Sequence, residues 1–362
     1  MADAGSTLDR RFMAAAIRLG AGALGTTRPN PAVGAILVKD GKVVGRGRTA
    51  PGGRPHGERL ALAEAGEAAH GATAFVSLEP CAHHGRTPPC ADALVAAGLA
   101  RVVAPLVDPD PRVGGKGFER LRAAGVEVMT GVLDQEARRV QAGHLSRIGR
   151  NRPFVLLKLA VSADDAIGRA GEGQVAVTGD IARRHVQALR SRFDAILVGR
   201  GTVDADDPEL TCRLPGLEHR SPIRIVLDSE GRLAPDRRVF RGEAPTWVLN
   251  ARAEEPAGRP RRLKVPHRAA GGLDLRAALT RLAGEGITRL LAEGGALLAR
   301  SLLEADLVEE VMLFRSPVAL GGHSVSALAG LPLREIEASE KFRRIERRMF
   351  GPDRMTRYER AR

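Results

Sequence analysis

Between His56 and Cys90 the chain reads P-H-G-E, then a helical interval, then S-L-E-P-C-A-H-H-G-R-T-P-P-C. Histidine and cysteine are the residue types that hold zinc, and three protein ligands leave the fourth tetrahedral position open to a water. His56, Cys81 and Cys90 supply such a set. An open site does chemistry, because zinc lowers the pKa of its water from about 15.7 to about 7, and Glu58, two residues past His56, can carry the proton. The same stretch offers a competing arrangement, in which Cys81, His83, His84 and Cys90 close a structural zinc knot. Its two adjacent histidines point apart in most backbones, and it leaves His56 and Glu58 idle. In the open site, His83 and His84 instead support ligands or face a substrate.

These residues need elements to place them. Residues 8–24 carry Phe12, Ala16, Leu19 and Ala23 at helical spacing, with Gly25 as the stop. Two apolar runs flank Asp40-Gly41, the strongest short hairpin signal. Asn30, between two prolines that favour extended backbone, is either a turn residue or an amide that hydrogen-bonds a base. Residues 58–69 read as a helix with His56 and Glu58 at its first turn, and 73–78 as a strand. Pro80 suits the first position of a further helix, which would put Cys81 where the helix dipole favours a thiolate. Helix 91–97, strand 101–107, helix 118–124, strand 126–129 and helix 134–148 complete an α/β series.

The charged, helix-breaking G-R-N-R-P at 149–153 marks a boundary, giving domains 1–148 and 153–362. A second α/β series follows: strand 154–161, helix 181–192, strands 195–199, 223–227 and 246–249, helix 275–284, strand 288–292, helix 296–304 and strand 310–314. Gly199-Arg200-Gly201 follows a strand but lacks the third glycine of a dinucleotide fingerprint, since Asp204 stands there. A-E-G-G-A-L-L-A-R-S is better suited to a phosphate: a strand runs through Gly294-Gly295 into a helix, presenting backbone N–H groups to an anion. Asp206-Asp207-Pro208 serves as paired carboxylates or as a turn.

The 362 residues leave room for two cores. No run of 18 apolar residues suggests a membrane span, and residues 1–11 have charges in place of a secretory apolar core, so a cytoplasmic protein is expected. Three cysteines make no disulfide framework, and Cys212 reads as a plain thiol. A net charge of +13 admits nucleic acid, phosphorylated metabolites or an arginine-rich surface as its explanation. With aromatics at only 3%, stacking platforms for single strands are poorly supplied, so no nucleic-acid partner is expected.

The H-x-E and P-C elements match the signature of zinc nucleobase deaminases, except that eight residues, not two, separate Cys81 from Cys90. With that long zinc loop the chain resembles the bifunctional riboflavin-biosynthesis deaminase/reductase family. R-P-N-P-A-V-G-A, K-L-A-x-S-x-D at 158–164, L-R at 189–190, T-V-x-A-D-D-P-x-L-T-x-R at 202–213, L-D-S at 227–229 and A-E-G-G at 292–295 extend the resemblance over nearly the whole chain. It implies a cytidine-deaminase-like N-terminal domain, a mixed sheet flanked by helices, and a dihydrofolate-reductase-like α/β C-terminal domain. The implied chemistry is zinc-dependent deamination of a diaminopyrimidinone ribosylamino 5′-phosphate, then NADPH reduction of its ribosyl group to a ribityl chain. Zn2+ and NADPH are the implied cofactors, and a homo-oligomer the implied assembly.

Carried over by position, the resemblance makes Glu58 catalytic and His56, Cys81 and Cys90 the metal ligands. Asn30, Gln174, Arg190, Leu210, Arg213 and Glu293 would meet substrate. Ala160, Ala176, Thr202, Asp206, Ser229, Gly295, Ala296, Leu297, Leu298, Ala299, Arg300 and Ser301 would meet NADPH. The chain departs from the family at Gly57, where alanine is usual and glycine should loosen the helix start by about 0.5–1 kcal/mol. It departs again in Ser162-Ala163-Asp164-Asp165-Ala166, and at Gln174 and Ala176, which replace a serine and a tryptophan and remove an apolar contact to the cofactor. Two other readings compete: a deaminase of a free or RNA-borne base with a degenerate second half, and a zinc-stapled basic nucleic-acid-binding protein.

Overall fold

The computed structural model describes residues 5–85, 88–255, 257–268 and 271–361. The chain divides into two compact units, Met1–Arg152 and Pro153–Arg362. The division falls between Arg152 and Pro153, and the last helix of the first unit runs past Ile148 through Gly149 to Arg150.

The first unit runs α1 (Thr7–Ala21), β1 (Gly34–Lys39), β2 (Lys42–Arg48), α2 (Gly57–Ala65), β3 (Thr73–Val76), α3 (Cys90–Ala96), β4 (Arg101–Ala104), α4 (Lys116–Ala123), β5 (Glu127–Thr130) and α5 (Asp134–Arg150). Its sheet has the order β2-β1-β3-β4-β5 and is mixed: β1 is antiparallel to β2 and β3, whereas β3, β4 and β5 are parallel. Met13, Leu37, Phe75, Leu94, Val102 and Leu121 fill the core between sheet and helices. A capping box starts α1, with the Ser6 hydroxyl accepting from the Asp9 N–H and the Asp9 carboxylate from the Ser6 N–H, both at 3.1 Å. The helix ends at Ala21 with Gly22 as its cap, earlier than Gly25. Asp40 and Gly41 both take left-handed backbone, φ 50° and 73°, as the two-residue hairpin requires.

Helix α2 packs backbone to backbone on β2. A Cβ at Gly45 would lie 2.2 Å from the Ala61 carbonyl oxygen, and one at Gly47 would lie 2.2 Å from that of Gly57. Gly57 belongs to the same contact, because a Cβ there would stand 3.1 Å from the Gly47 carbonyl oxygen of β2, and 2.8 Å from that of Val33. The departure from alanine at 57 thus matches a close approach, and the expected loosening is not its main consequence.

The second unit runs β6 (Phe154–Val161), β7 (Ala166–Arg169), α6 (Asp180–Arg190), β8 (Ala195–Gly199), α7 (Arg200–Asp206), β9 (Ile223–Leu227), β10 (Thr246–Asn250), β11 (Arg261–Lys264), α8 (Leu275–Gly284), β12 (Arg289–Ala292), α9 (Ala296–Glu304), β13 (Glu310–Arg315), β14 (Ser324–Ser326), α10 (Arg334–Glu337), β15 (Phe342–Phe350) and β16 (Asp353–Arg360). Its large sheet has the order β11-β10-β9-β8-β12-β6-β13-β16-β15, and the first seven strands of that order are parallel. Strands covered on both faces read as unbroken apolar runs, as in A-I-L-V at 195–198, which is why the sequence marks them. The antiparallel β15–β16 hairpin escapes the sequence reading because β15, an edge strand, exposes most of F-R-R-I-E-R-R-M-F. Charged residues on an edge strand discourage further strand pairing. No helix among the described residues is long and apolar enough to cross a membrane.

Candidate active sites

In the first unit the site lies beyond the carboxyl end of β3. His56 caps the start of α2 with extended backbone, φ −69° and ψ 156°, and Cys90 opens α3. Cys81 is not at a helix N-terminus, contrary to the sequence expectation; it lies in irregular chain between β3 and α3, part of which (residues 86–87) is outside the described residues. The reason is local. The Cys81 carbonyl accepts from the Ala91 N–H at 3.1 Å instead of from a residue one turn on, and Pro88-Pro89 place the helix start at Cys90. The Cys90 N–H then donates to Cys81 Sγ at 3.2 Å.

His56 Nδ1 lies 3.6 Å from Cys81 Sγ and 3.4 Å from Cys90 Sγ. A tetrahedral zinc with bonds of about 2.0 Å to nitrogen and 2.3 Å to sulfur separates those donors by about 3.6 Å. The residues therefore fit the metal without rearrangement. Among the described residues this is the one His/Cys/Asp/Glu cluster compact enough to hold an ion, and neither His83 nor His84 belongs to it. The closed knot is not formed; His83 Nδ1 is buried with no partner.

Glu58 is 3% exposed and its Oε2 has no hydrogen-bond partner. Burial pushes its carboxyl pKa up, against the opposing pull of His56. The bond from Cys90 draws the Cys81 thiol down, and that same contact pushes Cys90 up. The bond to Cys81 raises His56. Asn30 donates from Nδ2 to the Gly53 carbonyl at 2.8 Å, bracing the left-handed Gly53 turn just before His56.

In the second unit the residues expected at the cofactor, Ala176 apart, follow the carboxyl ends of parallel strands, where open α/β sheets hold ligands. Ala160 is near the end of β6; Thr202 and Asp206 are on α7 after β8; Ser229 follows β9; Glu293 and the stretch Gly295 to Ser301 follow β12. The Gly295 N–H donates to Thr202 Oγ1 at 2.9 Å, joining α9 to α7. No side chain caps α9, and Leu297 in its first turn is 75% exposed. Burial pushes the Asp206 carboxyl up.

Arg190 forks onto Glu293 at 2.8 and 3.0 Å and reaches the Thr211 carbonyl at 3.0 Å. Lys158 Nζ stands 3.9 Å from the same carboxylate. Burial alone would raise Glu293, but Arg190 and then Lys158 outweigh it and hold the carboxyl below its ordinary value. Burial pushes the Lys158 ammonium down. Lys158 stands in the K-L-A-x-S-x-D string with no role expected of it; its signal in the sequence is a lysine inside an apolar strand.

Leu210 is buried with φ 57°, and Asp207, the cap of α7, has φ 40°, left-handed backbone that is uncommon for non-glycine residues. Arg213 is exposed and pairs with Glu209 at 3.0 Å. Gln174 and Ala176 lie on exposed chain between β7 and α6, which passes α7 where a Cβ on Gly173 would be 3.6 Å from the Ala205 carbonyl oxygen. Cys212 is buried, its thiol donating to the Gln187 carbonyl at 3.4 Å.

A His/Cys/Cys centre beside a buried carboxylate, followed in the same chain by a parallel-sheet unit with a cofactor edge, defines a zinc-type deaminase fused to a reductase. Two family models match accordingly: the cytidine and deoxycytidylate deaminase zinc-binding region over residues 6–106, and the RibD C-terminal domain over residues 153–353. The riboflavin biosynthesis protein RibD of Escherichia coli is 42% identical over 95% of this chain and 97% of its own length. That of Haemophilus influenzae is 38% identical over 93% and 95%. The form 1 structure of Acinetobacter baumannii RibD superposes with a TM-score of 0.88 at 34% identity, covering 98% of this chain and 99% of that one. The Thermotoga maritima diaminohydroxyphosphoribosylaminopyrimidine deaminase/5-amino-6-(5-phosphoribosylamino)uracil reductase gives 0.85 at 32% identity with the same coverage.

The chain belongs to the RibD family, the bifunctional deaminase/reductases of riboflavin biosynthesis. The likeness runs through both units, against the reading of a base deaminase with a degenerate second half.

Proposed function

We propose that residues 1–148 deaminate a diaminopyrimidinone ribosylamino 5′-phosphate and that residues 153–362 reduce the ribosyl group of the product to a ribityl chain. The observation that carries the first step is the compact set His56, Cys81 and Cys90 beside the unpartnered Glu58 oxygen. Zinc held by those three residues supplies Lewis acidity that makes a water nucleophilic near neutral pH. Glu58 would relay two protons at Oε2, the first from the water to the ring nitrogen and the second, from the oxygen that has joined the ring carbon, to the departing ammonia. Its burial suits both directions, because a raised pKa brings a carboxyl nearer the working pH. Asn30, at the turn before His56, faces the base.

In the reductase half NADPH supplies the hydride. Arg190, Glu293 and Lys158 form a buried charged set that orients the ribosyl phosphate, with Leu210, Arg213 and Gln174 completing its surroundings. Arg213 is the exposed cation suited to the phosphate, which arginine can hold through two parallel bonds. Ala160, Ala176, Thr202, Asp206, Ser229 and the start of α9 from Gly295 to Ser301 line the cofactor. The same reading makes the substrate a small molecule and not a nucleic acid, and the enzyme a cytoplasmic homo-oligomer whose state light scattering will give.

The test supplies the diamino substrate with and without NADPH and follows ammonia and NADPH oxidation separately. Ammonia should appear in both, with NADPH consumed only after deamination. Ammonia with no NADPH consumption would reject the reductase half, and NADPH consumption that precedes ammonia would reverse the order.

A further inference from the structure

Glu79 lies two residues before Cys81 and is 3% exposed, yet its carboxylate faces neither metal ligands nor solvent. Backbone donors fill it. Oε2 accepts from the N–H groups of Asp108 and Gly115, each at 3.0 Å, and Oε1 from those of Gly117 and Phe118 at 2.9 and 3.4 Å. The Glu79 N–H in turn donates to the Leu106 carbonyl at 3.1 Å. Pro80 is gripped by the same chain, since a Cβ on Gly117 would stand 2.1 Å from its carbonyl oxygen.

One carboxylate thus laces the connection between β4 and α4 onto the two residues that lead into Cys81. The far side of that connection is anchored as well: Asp108 Oδ1 bonds His144 Nε2 of α5 at 2.8 Å, both side chains buried. On the near side, Cys81 is tied to Cys90 through Ala91 N–H to the Cys81 carbonyl and Cys90 N–H to Cys81 Sγ. Irregular chain between β3 and α3 has no ladder to hold Cys81 in place, and a saturated buried carboxylate supplies the missing constraint. Four amide donors leave Glu79 no free lone pair with which to move a proton.

We propose that Glu79 is a positioning residue of the deaminase site: by pinning Pro80 and Cys81 against the β4–α4 connection, it sets the place of the Cys81 sulfur relative to His56 and Cys90. The inference rests on reading those three residues as zinc ligands. Groups that orient ligands from outside the coordination sphere typically change metal affinity about 10–100-fold when altered.

The full-length, zinc-loaded protein is mixed with excess chromogenic chelator and zinc release is timed. Glu79→Gln keeps the side chain's shape but turns one oxygen into an NH2 that confronts two N–H donors. It should release zinc about 10-fold or more faster than wild type, while NADPH-dependent reduction of the deaminated substrate is unchanged. Glu79→Asp keeps the charge, reaches less far, and should fall between the two; it decides the matter if Glu79→Gln fails to accumulate. Asp9→Asn removes a buried pair in the same unit and controls for general loosening; it should lower the melting temperature without speeding release. Release at the wild-type rate from the Glu79 variants, or equal acceleration by Asp9→Asn, overturns the inference. A wild-type protein that holds no zinc overturns the ligand assignment instead.

Discussion

Arg190 and Glu293 meet in a bidentate ion pair, at 2.8 and 3.0 Å, that joins the end of α6 to the residue after β12. Both side chains are buried, and Lys158 shares the carboxylate at 3.9 Å. Removing the shared anion leaves two buried cations facing each other, and breaking a buried pair from one side costs about 3–5 kcal/mol. Glu293→Ala should therefore lower the unfolding transition of the 153–362 unit and stop NADPH oxidation, with zinc content and ammonia release kept. Calorimetry beside the two activity assays checks this; an unmoved transition would mean that the pair contributes nothing to stability.

Glu58→Gln keeps the volume of a fully buried side chain but cannot exchange a proton. Zinc should stay bound, because Glu58 is outside the three-donor cluster. Ammonia release should fall by about 10²–10⁴-fold, the usual worth of a general acid/base. Undiminished release would exclude Glu58 as the proton carrier.

The ligand set is separable from its rival by metal analysis. His56→Ala removes the nitrogen that sits within 3.6 Å of both sulfurs, and the purified protein should lose most of its zinc. His84, exposed and outside the cluster, should be replaceable by alanine with zinc retained. The reverse pattern would restore the closed knot.

Much of this was legible in the sequence because the physics is local. The hairpin at Asp40-Gly41 needs two left-handed residues, and strand 195–199, covered on both faces, needs an unbroken apolar run; each leaves its mark in composition. His56, Cys81 and Cys90 were legible by residue type and order.

What escaped depends on partners far away in the chain. Pro80 has the look of a helix start, but its carbonyl packs against Gly117 and the next carbonyl, that of Cys81, accepts from Ala91. Glu79 and Lys158 take their surroundings from residues 29 and more positions away, which no short window contains. The β15 strand failed for another reason: exposed on an edge, it has no apolar pattern to read.

The pair of Asp9 with Arg101 gives the first unit a pH dependence whose sign can be stated. Arg101 bonds both oxygens of Asp9, at 2.7 and 3.2 Å, and that bond, against the opposing effect of burial, holds the Asp9 carboxyl below its ordinary value. A carboxyl whose folded pKa is depressed binds fewer protons folded than unfolded, so stability rises with pH while the unfolded chain titrates. The contribution is complete above the unfolded pKa, near about 3.9, and disappears as pH falls through the lower folded value. Asp9→Asn removes the charge while keeping the size, and should cost about 1.5–3 kcal/mol at neutral pH, the range for hydrogen bonds to charged groups. Wild type and variant melting temperatures for this unit should then converge as the pH is lowered below about 4. A gap that stays constant down to the acid limit would show that the charge of Asp9 does not stabilise this unit.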